Sequence, residues 1–208
     1  LLVMLLVGLT LSAIMFVVCI CVGPTIILSP SEAISALFSS IAKGGENLTY
    51  NELMVYSSRL PRTIVALVVG IGLSMAGVMY QALIRNPLVD PYIMGVSSGA
   101  GTAAVAVIAL NFTFFGLFSS HSIYLTAFAA MIGGVIAFAM TMVLAEKAGG
   151  TSINYCLAGV VVGLVFSAAQ SIMLTTASEN VSNSLTWLYG SFSSVSWEHV
   201  SVVFFPVL

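Results

Sequence analysis

Few side chains in this sequence could do chemistry, and several of them sit beside glycine or proline. Gly95-Val96-Ser97-Ser98-Gly99 fits GxSxG, a spacing that can present a serine nucleophile on a tight turn. Such a serine attacks an acyl group only with a histidine base within hydrogen-bond reach. His121 and His199 are the histidines available, and both fall at predicted helix ends. Gln81 and Gln170 are the notable polar side chains inside apolar runs. Each would either bond across to a neighbouring helix or face a water-filled path. Asp90 and Glu146 fall at turns, so no run carries the central acid that an ion-coupled carrier uses. Cys19, Cys21 and Cys156 lie within apolar runs, with no CxxC or Cys/His cluster, so neither a disulfide frame nor a metal site is read. No GxxxxGK[ST] occurs, and ATP hydrolysis is not expected of this chain.

The elements that carry these residues follow from composition. Sixty per cent of the residues are hydrophobic and 6% are charged, against roughly a quarter charged in soluble domains. Lipid is the solvent that so apolar a chain requires. Within it, helices and closed barrels satisfy the backbone. A barrel would alternate polarity over segments of about ten residues; the apolar runs here are longer and do not alternate. The expected fold class is therefore all-α, a polytopic membrane helical bundle forming a single transmembrane domain over residues 1–208. The formal net charge of −2 and the absence of a basic stripe exclude nucleic acid as a partner.

A span needs about 20 apolar residues. The expected spans are Leu1 to Leu28, Arg62 to Ile84, Pro91 to Leu110, Ser122 to Ala145 and Ile153 to Ala177, with a sixth starting near Trp197. The chain begins and ends inside apolar runs, and we read it as a fragment holding about five complete spans plus the start of a sixth. Leu1 to Leu28 lacks the basic n-region of a signal peptide and is too long for one. Residues 29–61 form a polar connection, expected to be external, with short interfacial helices. Ser29-Pro30 caps the first of these, and Ile34, Leu37, Phe38 and Ile41 make its apolar face. A second short helix is expected from Asn51 to Ser58.

Asn86-Pro87-Leu88-Val89-Asp90-Pro91 is the sharpest punctuation. Pro87 and Pro91 cannot both sit in one regular helix, so a helix ends near Arg85. Asp90 is placed to cap the next, with Pro91 at its first position. Small residues at i and i+4, as in Gly95-xxx-Gly99 and Gly159-xxx-Gly163-xxx-Ser167, let helices approach closely in lipid. With the N-terminus inside, Arg85 and Lys147 fall inside while Lys43, Arg59 and Arg62 fall outside, against the positive-inside preference.

From Arg59 onward an ordered set of blocks resembles one family. The blocks are Arg59-Leu60-Pro61-Arg62, Gly77-Val78-Met79-Tyr80-Gln81, Asn86-Pro87-Leu88-Val89-Asp90-Pro91, Met94 to Ala100, Leu157-Ala158-Gly159, and Trp187-Leu188-Tyr189-Gly190-Ser191, the last read as loop. Together they resemble the FecCD-type permeases of iron-siderophore, haem and vitamin B12 ABC importers. The resemblance implies a transport subunit rather than an enzyme, the N-terminal part of a ten-helix permease in the cytoplasmic (inner) membrane of a prokaryote. It implies a second permease subunit, two ABC ATPase subunits that use ATP, and an external substrate-binding protein; no cofactor or metal is implied for this chain. Arg59 and Arg62 match the block that docks the binding protein from outside, which gives the two external arginines a reason. Gly159, Gly163, Ser167 and Gln170 become candidates for the translocation path, and Asn86, Pro87, Asp90, Pro91, Gly95 and Gly99 form the helix-turn and packing motif. The cargo stays open between iron-siderophore, haem, cobalamin and an oxyanion. Two rival readings are a secondary transporter and a rhomboid-like intramembrane serine protease built on Ser97.

Overall fold

The computed structural model describes residues 2–23, 26–109, 123–176 and 181–207, and every regular element among them is helical. Among the described residues four helices are long and apolar enough to cross a membrane: Leu2–Cys21, Tyr50–Ile84, Ile123–Lys147 and Ser152–Thr176. The chain divides into two compact units, residues 1–70 with 192–208, and residues 71–191.

In the first unit, α1 (Leu2–Cys21) stops short of the expected Leu28. Proline at position 24 has no N–H to offer the carbonyl four residues back, so the helix cannot extend regularly past this point. Most of α1 is exposed; its last turn, Ile20 and Cys21, packs with Leu28, Ala33, Ala36 and Val55 in a small core. Ser29 caps α2 (Pro30–Ala42), with Pro30 at the first position. The Ser29 backbone N–H donates to Glu32 Oε2 at 2.9 Å and the Glu32 N–H donates back to Ser29 Oγ at 3.4 Å, a reciprocal capping box. The Ser29 hydroxyl and N–H beside it hold the Glu32 carboxyl below the ordinary glutamate range. α2 meets the rest of the unit through small residues, Ala33, Ala36 and Ser40. The larger Ile34, Phe38 and Ile41 of the expected apolar face stay exposed.

α3 (Tyr50–Met54) follows, and one π turn (Val55–Arg59) joins it to α4 (Leu60–Ile84) without a break. The expected separate helix at Asn51–Ser58 and the span from Arg62 are therefore one continuous helix. Glu52 fixes its start, accepting the Thr49 N–H at 2.8 Å and pairing with Lys43 Nζ at 2.7 Å. The π turn explains how buried Pro61 is tolerated. A proline inside an α-helix lacks an N–H and clashes with the preceding turn; a wider turn before it relieves the crowding. The Leu60 N–H bonds to Val55 O, five residues back. That leaves the Tyr56 carbonyl without a helical partner, and Trp197 Nε1 donates to it at 3.1 Å. Trp197 opens α9 (Trp197–Val207), where the sixth span was expected to start.

In the second unit, α4 ends at Ile84 and Arg85 adopts a left-handed φ of 54°. The Asn86 N–H closes back to Gln81 O at 3.3 Å, the wide bond of a Schellman-type terminus. Asn86 Oδ1 accepts the Leu88 N–H at 3.0 Å, and Gln81 Nε2 donates to Pro87 O at 3.1 Å. The expected helix start at Pro91 is corrected. Asp90 Oδ1 accepts the Ile93 N–H at 2.8 Å, but it closes an isolated turn. Gly95 then takes φ 75°, which no helix can pass through, and α5 begins at Val96 and is described to Ala109. Its 14 described residues rise about 21 Å, less than a bilayer core.

α5 packs against both α6 (Ile123–Lys147) and α7 (Ser152–Thr176), which also pack on each other. α8 (Val181–Tyr189) takes up the Trp187-Leu188-Tyr189 block that was expected as loop. Leu188 explains the helix, for it packs on Val105 and Ala109 beside Met173 and Leu174.

Candidate functional site: an arginine clamp and a glycine seam

Arg59 is 5% exposed, and its guanidinium gathers the chain around it. Nη1 donates to Ile20 O at 2.6 Å and Cys21 O at 2.8 Å, and Nη2 to Ile26 O at 2.5 Å. Two of these carbonyls belong to the last turn of α1, which leaves its final acceptors unpaired and carries the negative end of the helix dipole. The planar fork of arginine is suited to several acceptors at once. Gly23 makes the approach possible, since a Cβ there would lie 2.5 Å from Arg59 Nη2. Thr63 Oγ1 donates to the Arg59 carbonyl at 2.8 Å, fixing the turn from which the side chain leaves.

Arg62, one turn on, is half-buried and donates through Nη2 to Ser193 O. Both arginines line a cavity of about 460 Å³, with Val18, Val22, Ala66 and Phe192 among its apolar walls. The two members of the expected docking pair thus have different surroundings: Arg59 is bound inside the unit, and Arg62 is the more accessible.

The second constellation is the seam around α5. A Cβ on Gly95 would come within 3.1 Å of Gly159 O and Gly163 N, and one on Gly159 within 2.2 Å of Ile93 O. Gly95 therefore serves α7, while Gly99 serves α6. Thr102 Oγ1 shares its proton between Ser98 O in its own helix at 2.8 Å and Phe166 O across the seam at 2.9 Å, and Thr141 Oγ1 donates to Met94 O at 3.0 Å. Ser152 Oγ joins the start of α7 to Ile84 O at 2.7 Å. Below the proline turn, Ile84, Val89 and Met94 form a buried cluster with Tyr80, Phe138 and Tyr155 packed on it.

Of the path candidates, Gly159 is buried against Ile93 and Met94 in the turn before α5, Gly163 borders Gly95 and Ser98, and Ser167 is exposed with Oγ 3.4 Å from Ser98 Oγ. Gln170 is half-buried, its Oε1 2.9 Å from where a Cβ on Gly101 would stand. Sequence reasoning missed Gly133, Gly134 and the three hydroxyl bridges. Gly133-xxx-Ala137 repeats the small-residue spacing read elsewhere and could have been found by it. The bridges carry no local signal.

No hydrogen bond joins Ser97 to a histidine among the described residues. His199 Nδ1 accepts the Ser196 N–H at 3.2 Å at the start of α9, and His121 lies outside the described residues. Glu146 accepts the Tyr155 hydroxyl at the α6–α7 turn.

The sequence matches the FecCD transport family over residues 9–208. The chain belongs to the FecCD transport family. Among curated relatives of this FecCD chain, the Fe(3+)-citrate import system permease of Bacillus subtilis is 32% identical over 76% of this chain and 47% of its own length. The vitamin B12 import system permease of Salmonella paratyphi A is 33% identical over 81% and 50%. The molybdate import system permease of Haemophilus influenzae is 32% identical over 74% and 44%. The chain spans about half the length of the curated relatives it matches. A solved structure of metal-chelate ABC transporter type, in an inward-facing conformation, superposes with a TM-score of 0.71 at 26% identity, covering 98% of this FecCD chain and 58% of the other.

Proposed function

We propose that this chain is part of the permease subunit of an ABC importer that carries a metal chelate, such as an iron-siderophore, haem or cobalamin, across the cytoplasmic membrane of a prokaryote. The observation that carries the reading is the FecCD match across residues 9–208, supported by relatives that are import permeases for three different cargoes. The four span-length helices suit a multi-pass membrane subunit. In this reading a second permease subunit completes the path, two partner ATPases hydrolyse ATP, and an external binding protein delivers the cargo. The chain itself holds no cofactor.

Arg62 is the arginine we assign to docking the binding protein, because its side chain is partly accessible, while Arg59 holds the docking end in shape. Rim charges of this kind mainly raise the association rate and fix register. On α7 we assign Ser167 and the neighbouring Gln170 to the path, with Gly159 and Gly163 holding the helix against the turn at Ile93 to Gly95 and the start of α5. The test is a mild-detergent pull-down of the full-length chain from its own membrane. A Walker-motif ATPase in about equal amount is the expected result. A chain arriving alone, under conditions that preserve known ABC complexes, overturns the reading.

A further inference from the structure

A titratable side chain caps α9. The Ser196 N–H donates to His199 Nδ1 at 3.2 Å, and Ser196 Oγ stands 3.0 Å from the same nitrogen. His199 thus takes the place that glutamate or glutamine holds in a capping box, three residues after the cap. A ring nitrogen that accepts an N–H carries a lone pair, so this is the geometry of a neutral imidazole with its proton on Nε2. The His199 and Val200 N–H groups close the first turn on Ser196 O at 3.1 and 3.4 Å. One residue after the cap, Trp197 Nε1 donates to the Tyr56 carbonyl that the π turn leaves open, and the two rings lie 5.2 Å apart. Few charges surround the imidazole among the described residues. Glu198, beside it in α9, is exposed; Tyr56 belongs to the π turn; Arg62 of α4 is bound to Ser193 O. No carboxylate among them lies within salt-bridge distance of His199.

We propose that His199 is a pH-sensitive latch that holds the start of α9, and with it Trp197, on the π turn. Protonation puts a hydrogen on Nδ1. The ring can then donate to Ser196 Oγ but no longer accepts the Ser196 N–H, which loses its partner. The new positive charge also sits at the positive end of the helix dipole, and the exposed Glu198 offsets little of it. The first turn of α9 loosens, and Trp197 leaves the Tyr56 carbonyl. The hold is complete while the imidazole is neutral and is lost as pH falls through its titration. Histidine is the side chain that ordinarily changes charge between about pH 5 and 8. That the latch meets the outside medium rests on the importer-permease reading, which places this end of α4 outside.

The experiment is amide hydrogen exchange of the full-length permease in its assembled complex, compared at about pH 7.5 and about pH 5.5 and corrected for the intrinsic pH dependence of exchange. Protection from Ser196 to Ser201 should fall about fivefold at the lower pH, the worth of one helix cap. Protection from Val55 to Leu60 should fall with it. His199→Gln keeps an acceptor three residues after Ser196 but does not titrate, so both segments should stay protected at both pH values. His199→Ala should leave the start of α9 weakly protected at both. Trp197→Phe keeps the cap and removes the indole donor, and should loosen Val55 to Leu60 at both. A wild-type chain indifferent to pH, or a pH step that persists in His199→Gln, overturns the latch. A step at α9 with Val55 to Leu60 unmoved overturns the hold on the π turn. The pH step found in a chain that co-purifies with no ATPase keeps the latch and counts against the importer reading instead.

Discussion

Gly99 and Gly133 meet backbone to backbone. A Cβ on Gly99 would stand 2.5 Å from Gly133 O, and one on Gly133 would stand 2.4 Å from Gly99 O. Neither carbonyl can yield as a flexible side chain could, so α5 and α6 are locked at the distance that two absent side chains allow. Gly99→Ala should therefore cost about 1–3 kcal/mol through overpacking. Gly77→Ala on α4 meets nothing within 4 Å and should be neutral or gain up to about 1 kcal/mol in helix propensity. Unfolding of the two variants in the same mild detergent decides; equal stability would remove the seam from the account.

Arg59→Lys tests the clamp. An ammonium cannot serve the carbonyls of Ile20, Cys21 and Ile26 together in the geometry of the guanidinium fork. The expected loss is about 1–3 kcal/mol, chiefly from the Ile20 carbonyl left unpaired in a buried place, since Cys21 O also accepts the Leu28 N–H. Arg62→Lys, at a half-buried position with one carbonyl partner, should lose about 1 kcal/mol or less. Comparing their thermal midpoints checks the order, and a reversed order would contradict it.

Thr141→Val keeps shape and removes one hydrogen bond. Thr141 is fully buried, and its bond crosses from α6 to the Met94 carbonyl. Transmembrane cross-helix bonds are worth about 0.6 kcal/mol on average, and leaving the carbonyl unpaired raises the expected cost to about 1 kcal/mol. Thr175→Val removes a bond within α7 itself and should leave stability unchanged.

The cap of α2 should depend on pH through Glu32. Its folded carboxyl is held below the ordinary glutamate range by the Ser29 side chain and then by the Ser29 backbone. The stabilisation is thus fully present above the unfolded value and is lost as pH falls through the lowered folded value. Amide protection at the start of α2, with exchange corrected for its intrinsic pH dependence, should fall over that acidic range. Glu32→Gln should abolish the pH dependence; if exchange in the variant follows pH as before, the cap is not its origin.

Ser167→Trp should block uptake while leaving the assembled complex intact, if Ser167 faces the path. Leu164→Trp, on the same helix and 66% exposed, serves as the comparison. Undiminished uptake in Ser167→Trp, at normal expression, would move the path away from this face of α7.

The amino-acid sequence by itself determined the class of molecule. With 60% hydrophobic and 6% charged residues, only backbone-satisfied helices in lipid remain. The ends that depend on local chemistry were legible too: the Ser29-Pro30 cap of α2, and the stop of α4 before Asn86-Pro87. So was the use of Gly95, Gly99, Gly159 and Gly163 as packing positions, because small residues at i and i+4 are a local pattern. Tertiary structure decided which helix each glycine serves, since the left-handed turn at Gly95 starts α5 late and sets its contacts with α7. It also decided what Arg59 does. In the sequence Arg59 and Arg62 read as a matched pair. The π turn before Pro61 carries the first inward to the end of α1, where carbonyls distant in sequence need a donor, and leaves the second part-way out. A helix end's unpaired acceptors can be filled from anywhere in the chain, so no spacing rule announces the residue that fills them.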